Sequence, residues 1–205
     1  FFHHLNLNYQ QDLNSKNLID GGISFSANKD DIIQDSNIIG MNSKLLHMKV
    51  RHQYFATERL RLKFGAESFA RFYDESLNGQ SRDIANEQIA AFAEGDYHFN
   101  SDLVLKLGLR QSWYANSSYL MPRASLGYRL NQSSTLSLAF GDYVQEQSPA
   151  VLILENNLSS SKAQHLIINY QFNKGSHTFR IEAYSKVYQS LLRNQNNYFS
   201  NGKGY

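Results

Sequence analysis

Histidine, serine and the basic residues are the side chains that could do chemistry here, because the sequence contains no cysteine. His3 and His4 are neighbours in an extended run, and an odd spacing separates His47 from His52, so each pair points to opposite faces of a strand. Without thiolates or a ligand-spaced motif, the sequence predicts neither a metal site nor a cofactor. No Gly-x-Ser-x-Gly elbow is present, so we expect no enzyme and keep a hydrolase only as a minor alternative.

Basic side chains recur at every second position of several runs, which would put them on one face of a strand. Such a face can line a conduit for an anionic substrate or hold another domain of the same protein. The candidates for this lining are Arg59, Arg61, Lys63, Arg71, Arg110, Arg123, Arg129 and Arg180. The favoured alternative is that these charges pair across strands with acidic residues, because both signs are present. The acidic partners would be Glu67, Glu94, Asp96 and Glu182.

Polar and aromatic residues of the predicted connections are the candidates for first contact with a ligand, because binding concentrates on loops. They are Tyr119, Glu155, Asn156, Asn157, Tyr198 and Phe199. This prediction gives a location for binding but says nothing about the chemistry of the ligand.

Length, charge and hydropathy limit the class of protein. The 205 residues fit one all-β unit, so 1–205 is expected to be a single domain. Basic and acidic residues nearly balance at a net charge of +2, which predicts no nucleic-acid partner. No apolar run is long enough for a helical membrane span. Pro122 and Pro149 are expected in connections, because strands must donate ladder hydrogen bonds.

Alternating apolar and polar residues are the main structural signal. In 103–114, leucines and Trp113 occupy one set of alternate positions, while Lys106, Arg110 and Ser112 occupy the other. A period of two is typical of a strand with two different faces, and a helix would not present this pattern as one stripe. The same pattern recurs along the chain and predicts about ten strands, the first two being the weakest because Gly21 and Gly22 interrupt them.

The predicted connections alternate between short and long. The short ones are 10–14, 56–58, 99–102, 131–133 and 173–176, and the long ones are 27–42, 72–85, 115–121 and 146–162. This alternation is typical of an antiparallel, up-and-down transmembrane β-barrel, whose two rims face different compartments. A soluble sandwich or lipocalin-like barrel also has alternating strands and is the alternative.

Two features favour the membrane barrel over the soluble fold. Many runs approach the roughly nine to eleven residues that a tilted membrane strand needs. Their polar faces also carry Arg, Lys and Glu in mid-strand, which a wide barrel with an aqueous lumen tolerates and a small packed barrel does not. Both ends of the chain are predicted at the rim with the long connections, so we expect an incomplete barrel.

The segment from Pro122 onward resembles the later strands of the β-barrel of a TonB-dependent outer-membrane receptor. The order of its elements carries the resemblance more than any one of them. These elements are Pro122-Arg123-Ala124-Ser125, Tyr128, Leu130, Leu136 to Phe140, Gly141-Asp142-Tyr143, Pro149, Leu158, Lys162-Ala163-Gln164-His165, Tyr170, Glu182 to Tyr188, Leu191-Leu192 and Asn201 to Gly204. Nothing in the chain resembles the family's plug domain or TonB box.

The resemblance implies a barrel of about 22 strands in the bacterial outer membrane, of which this chain would supply under half. It implies transport of a scarce nutrient of the siderophore, cobalamin or glycan class, with outer-membrane lipid, the protein's own plug domain, TonB and a small ligand as partners. A passive porin or structural outer-membrane barrel is one alternative. A soluble β-rich binding module is the other.

Overall fold

The chain folds into one large antiparallel sheet. The computed structural model describes residues 1–35, 37–115, 117–155, 158–195 and 198–202. The strands of the sheet are β1 (Phe2–Asn14), β2 (Asn17–Gln34), β3 (Asn37–Phe55), β4 (Leu60–Leu77), β5 (Gln80–His98), β6 (Leu103–Tyr114), β7 (Ser117–Asn131), β8 (Ser134–Gln145), β9 (Ser161–Lys174) and β10 (His177–Gln189). Each strand pairs with the next one in sequence, so the predicted all-β, up-and-down topology of ten strands is confirmed.

Two small elements accompany the sheet. A helix of one turn, α1 (Pro149–Leu152), lies in the connection between β8 and β9. After β10, the short strands β11 (Leu191–Gln195) and β12 (Tyr198–Gly202) pair with each other as a separate hairpin. Among the residues that the structure describes, no helix is long and apolar enough to cross a membrane.

The predicted long connections are wrong in three of four places. Residues 27–42, 72–85 and 115–121 are mostly strand, because β2 with β3, β4 with β5, and β6 with β7 continue to pair almost to their tips. Of the four predicted long connections, only 146–160 is one. In the β2–β3 tip, adjacent positions share the same polarity, as in Asp30-Asp31, Ile32-Ile33 and Ile38-Ile39, so the apolar alternation that marks a strand is lost while backbone hydrogen bonding continues. The two rims still differ. At the rim opposite the short turns, β2 to β5 form long hairpins, and each of these strands is 18 or 19 residues long.

The tip of the β4–β5 hairpin explains why that connection is short. Asn78 and Gly79 both have positive φ angles, 51° and 86°, as a type I′ turn requires. The Ile38 amide N–H donates to the Asn78 side-chain oxygen at 2.9 Å, and the Asn78 side-chain amide donates to Asn37 at 2.8 Å. The tips of the β2–β3 and β4–β5 hairpins are therefore tied together.

Pro122 lies within β7 rather than in a connection, which corrects the prediction for this residue. It pairs with Leu109 of β6, but the ladder between β7 and β8 begins only at Arg123. Proline has no backbone N–H, but at this position the ladder with β8 has not yet begun, so no hydrogen bond to β8 is lost. Pro149, as predicted, lies in a connection, where it begins α1.

The sheet has two chemically different faces, which we call the polar face and the apolar face. On the polar face Ala90 and Ser112 are fully buried and Asp96 is 3% exposed, whereas Ile89 and Leu107 on the apolar face are 56% and 54% exposed. Side chains crowd on the inside of a curved sheet and spread apart on the outside. The sheet therefore curves around its polar face, and the predicted face assignment of 103–114 is confirmed.

Candidate functional site

A pocket of about 390 Å³ lies on the polar face beneath the 146–160 connection. This volume is within the roughly 300–1,000 Å³ of small-molecule sites. Strands β4, β5, β6, β7 and β8 supply its wall, and the start of the connection supplies its roof. The lining residues are Glu67, Phe69, Arg71, Gln88, Arg110, Ser112, Tyr114, Met121, Arg123, Tyr143, Val144, Gln145, Glu146, Gln147, Ser148 and Pro149.

Glu67 is the acidic centre at the base of this pocket. Its side chain is 9% exposed and forms an ion pair with the Arg110 guanidinium of β6. The Lys49 ammonium and the His47 Nε2 atom lie 3.6 and 3.7 Å from the other carboxylate oxygen. The His47 ring stacks on Phe69 with the ring centroids 4.1 Å apart. The Arg110 and Lys49 side chains therefore place two positive charges beside one carboxylate.

Arg71 and Glu146 connect the wall of the pocket to its roof. The Arg71 Nη1 atom of β4 lies 3.5 Å from the Glu146 Oε2 atom, which follows β8 in sequence. Burial raises the pKa of the Glu146 carboxyl above its ordinary value, although the Arg71 charge and a hydrogen bond from Asn86 act in the opposite direction. The roof is therefore held by a contact whose charge state depends on pH.

Arg123 differs from the other two arginines of the pocket. Its guanidinium lies 4.7 Å from the ring centroid of Tyr143, a cation–π contact. Within the described part of the chain, Arg123 forms no ion pair, whereas Arg71 and Arg110 each have a carboxylate partner. The pocket thus holds three guanidinium groups and two carboxylates. Its charged side chains sum to one positive charge, carried by the arginine that lacks an acidic partner.

The described residues of the connection, 146–155 and 158–160, are folded down over the polar face. Leu152 of α1 is buried, and α1 contacts β4 and β5, which are distant from β8 in the order of the sheet. The Gln147 side-chain amide donates to the Ser159 carbonyl at 2.9 Å and to the Ser161 hydroxyl at 3.0 Å, which joins the two ends of the connection. The roof is therefore packed and hydrogen-bonded, so it positions Glu146 over the arginines.

A second charged cluster lies nearer the rim with the short turns. The Asp96 carboxylate accepts hydrogen bonds from Arg61 at 2.7 and 3.0 Å and from Lys63 at 3.3 Å. The Asp96 side chain is only 4% exposed, so these contacts compensate its burial. Arg61 and Lys63 lie on the polar face, as the sequence predicts, but both belong to this cluster and not to the pocket.

The three remaining arginines of the predicted lining, Arg59, Arg129 and Arg180, lie outside the pocket. Arg59 is in the connection before β4, where its carbonyl accepts a hydrogen bond from the His98 N–H at 2.8 Å. Arg129 lies 3.8 Å from Asp102, and Arg180 lies 2.6 Å from Glu182, with all four side chains well exposed. The polar face therefore contains separate ion pairs as well as one arginine-lined pocket.

The loop candidates for ligand contact have different positions. Tyr119 lies in β7 on the polar face, where the Lys162 ammonium is 4.8 Å from its ring centroid and Tyr114 packs edge-on against it. Glu155 follows α1 in the connection. Asn156 and Asn157 lie outside the described residues. For Tyr198 and Phe199 the structure describes only the backbone, which belongs to β12.

Several pocket residues have no distinctive signal in the sequence. Tyr114, Tyr143 and Glu146 come from β6, β8 and the connection, and only the curvature of the sheet brings them together. The period of two places Tyr114 and Tyr143 on the polar face, but it does not show that they share a pocket with Glu146. In the described part of the chain, no group of three or more acidic, histidine or cysteine side chains is arranged to hold a metal ion.

A family model matches nearly the whole chain. The model described as "TonB dependent receptor-like, beta-barrel" covers residues 2–205. The chain belongs to the TonB-dependent receptor β-barrel family. Members of this family are bacterial outer-membrane proteins, so the ten-stranded sheet lies in that membrane. Its apolar face is the one that meets lipid, as in other membrane barrels.

Solved structures of TonB-dependent receptors share this fold. The FrpB iron transporter from Neisseria meningitidis is 13% identical, with a TM-score of 0.80, over 98% of this chain and 39% of that protein. The ferripyoverdine receptor of the outer membrane of Pseudomonas aeruginosa is 11% identical, with a TM-score of 0.76, over 94% of this chain and 34% of the receptor. The ferric-catecholate import receptor Fiu from Escherichia coli K12 is 10% identical, with a TM-score of 0.72, over 98% of this chain and 42% of Fiu.

These similarities show the fold of the chain. The chain spans less than half the length of each of the three receptors. Comparison with curated proteins finds no match. The three relatives are a receptor, an iron transporter and an import receptor. The similarity therefore supports a wall segment of a TonB-dependent receptor barrel and leaves the ligand open.

Proposed function

We propose that this chain is part of the wall of a receptor that imports a scarce nutrient across the outer membrane. Membership of the TonB-dependent receptor family supports this function. The curved sheet, with lipid on one face and charged side chains on the other, supports the role of a wall around a polar interior. Residues 1–205 act as one barrel domain. The plug domain and the contact with TonB belong to the whole protein rather than to this segment.

The arginine-lined pocket is the proposed contact site for the ligand. Guanidinium groups bind carboxylate and other oxygen-rich anions in a bidentate geometry. Arg123 carries the proposal, because it lies in the pocket over Tyr143 without an acidic partner among the described residues. An anionic ligand would form the missing ion pair. Of the three substrate classes that the sequence suggests, siderophores fit this chemistry best, since many carry carboxylate or catecholate oxygens.

The relatives point to the same class of ligand. FrpB is an iron transporter, the Pseudomonas protein is a receptor for ferripyoverdine, and Fiu is an import receptor for ferric catecholates. Tyr119 and Glu155, at the rim above the pocket, are proposed as first-contact residues. The arginines that line the polar face outside the pocket are proposed to stabilise the wall through their ion pairs rather than to bind the ligand.

An uptake experiment with paired arginine variants tests this function. Cells that express the whole protein are given radiolabelled ferric citrate, a ferric catecholate or cobalamin. We expect one of the two ferric complexes to be taken up, and Arg123→Ala to weaken its binding about tenfold or more. Arg129→Ala is the matched control, because that side chain is exposed outside the pocket, and its uptake should equal that of the unmodified protein.

The same experiment separates the alternatives. Uptake that persists after a protonophore has collapsed the inner-membrane potential would indicate a passive porin. Equal loss of binding in the Arg123 and Arg129 variants would remove the pocket from the proposal. Uptake of none of the three probes would contradict iron transport.

A further inference from the structure

The apolar face has a depression of about 500 Å³ around Gly21 of β2. Its lining is predominantly apolar. Small residues form its floor, at Gly21, Ala66 and Ser68. Larger side chains stand around them, and these are Leu7, Tyr9, Ile23, Met48, Val50 and Ile89. Strands β1 to β5 all contribute, so the depression is a groove in the sheet and not a gap at its edge.

The register of the strands explains the groove. Tyr9, Gly21, Val50 and Ala66 are direct neighbours across β1, β2, β3 and β4. A Cβ atom at Gly21 would lie 2.7 Å from the Lys49 carbonyl oxygen, so no side chain can occupy that position without moving the backbone. The groove is therefore a property of the backbone spacing between β2 and β3. The side chains at the border of the groove are 40–70% exposed, for example Leu7 at 67% and Tyr9 at 61%.

The position of the groove identifies the lipid leaflet that it faces. Gly21 lies four residues from Asn17, the start of β2, which is about 13 Å along the strand. That end of β2 is at the rim with the short turns, which in outer-membrane barrels is the periplasmic rim. The hydrocarbon next to the groove therefore belongs to the periplasmic leaflet, which consists of phospholipid and not of lipopolysaccharide.

Polar side chains mark the place of a headgroup below the groove. The His52 Nε2 atom lies 2.9 Å from the Asn17 side-chain oxygen. The strand register places both residues on the apolar face, between the groove and the periplasmic rim. Such a polar pair on a lipid-facing surface is stable where headgroups, and not acyl chains, contact it.

We propose that the groove binds one acyl chain of a phospholipid from the periplasmic leaflet, with the headgroup at His52 and Asn17. An acyl chain that lies between Leu7, Tyr9 and Ile89 fills the space that the small residues of the floor leave empty. This inference uses only the membrane location of the sheet and is independent of the transported ligand.

Native mass spectrometry of the protein, extracted from outer membranes in a mild detergent, tests this site. We expect one phospholipid to remain bound to the unmodified protein. Ala66→Phe fills the floor of the groove and should lower the lipid-bound fraction at least fivefold. Ala183→Phe is the matched control, since Ala183 is also exposed on the apolar face but lies on β10, far from the groove. Its lipid-bound fraction should not change.

Folding is checked in the same samples by the shift in gel mobility of unheated protein. If Ala66→Phe does not fold, Ala66→Leu replaces it, because the smaller side chain still occupies the floor. Equal lipid binding by the unmodified protein and the folded Ala66 variant would overturn the proposal. So would an equal loss in the Ala183 control, or the finding that the retained molecule is lipopolysaccharide.

Discussion

The Arg110 guanidinium reaches over strand β5 to form an ion pair with the Glu67 carboxylate. Arg110 belongs to β6 and Glu67 to β4, so a whole strand lies between their backbones. The space exists because Ala90, which pairs with Glu67, is a small residue and is fully buried beneath the contact. The ion pair therefore joins two strands that are not hydrogen-bonded to each other.

Removing the carboxylate should destabilise the sheet. We expect Glu67→Ala to lower the free energy of unfolding by about 1–3 kcal/mol, because Arg110 and Lys49 lose their partner in a largely buried site. Urea unfolding in detergent, followed by the fluorescence of Trp113, the one tryptophan of the sequence, measures the change. The control is Glu182→Ala, which breaks an exposed pair and should change stability by at most about 1 kcal/mol. Similar losses in both variants would contradict the special role of Glu67.

A charge introduced on the apolar face should destabilise the protein, whereas removal of a charge from the polar face should have little effect. Leu107 is 54% exposed on the apolar face, so Leu107→Arg should make folding into a bilayer less favourable by about 2–4 kcal/mol. The neighbouring Lys106 points to the polar face, and Lys106→Ala should be close to neutral. Refolding titrations into lipid vesicles compare the two. Comparable effects at both positions would mean that the faces are wrongly assigned.

The contact between Arg71 and Glu146 predicts a dependence on pH. Because burial raises the pKa of Glu146 in the folded protein, the folded state binds this proton more tightly than the unfolded state. The stability that this proton contributes is complete below the ordinary carboxyl pKa and is lost as the pH rises through the folded pKa. Glu146→Gln, which stays neutral, should therefore be more stable than the unmodified protein at pH 7, and this advantage should vanish at acidic pH.

Urea unfolding at pH 4 and pH 7 measures that difference. The control is Glu155→Gln, a second carboxylate of the same connection. A loss of stability at pH 7 in Glu146→Gln would show that the ion pair with Arg71 outweighs the burial of the carboxylate.

The tip of the β4–β5 hairpin should depend on glycine. Gly79 has a φ angle of 86°, so Gly79→Ala forces a side chain into the left-handed region at about 1–2 kcal/mol. Gly127→Ala is the control, because a Cβ atom there meets nothing within 4 Å and φ is not positive. Amide hydrogen exchange of the tip should become faster in the first variant only. Unchanged exchange at 74–83 in Gly79→Ala would contradict the type I′ turn.

Strand identity and face were predictable because they are local. In 103–114 the alternation of leucines with Lys106, Arg110 and Ser112 places every side chain on the correct face of β6, since successive side chains of a strand point in opposite directions. The number of strands in the sheet was predictable for the same reason. The hairpin tips were not, because the alternation of apolar and polar residues breaks down there, and only pairing with the neighbouring strand shows that 27–42 and 72–85 continue as strands.

The sequence alone determined that the chain forms an amphipathic, up-and-down membrane sheet and that basic side chains lie on one of its faces. It did not determine which charges meet. Arg110 and Glu67 lie on strands that do not pair, so their contact depends on how strongly the sheet curves. Arg71 meets Glu146 only because the connection after β8 folds back over the sheet. Curvature is set by the packing of all the strands together. Only the tertiary structure therefore separates the arginines of the pocket from those that stabilise the wall.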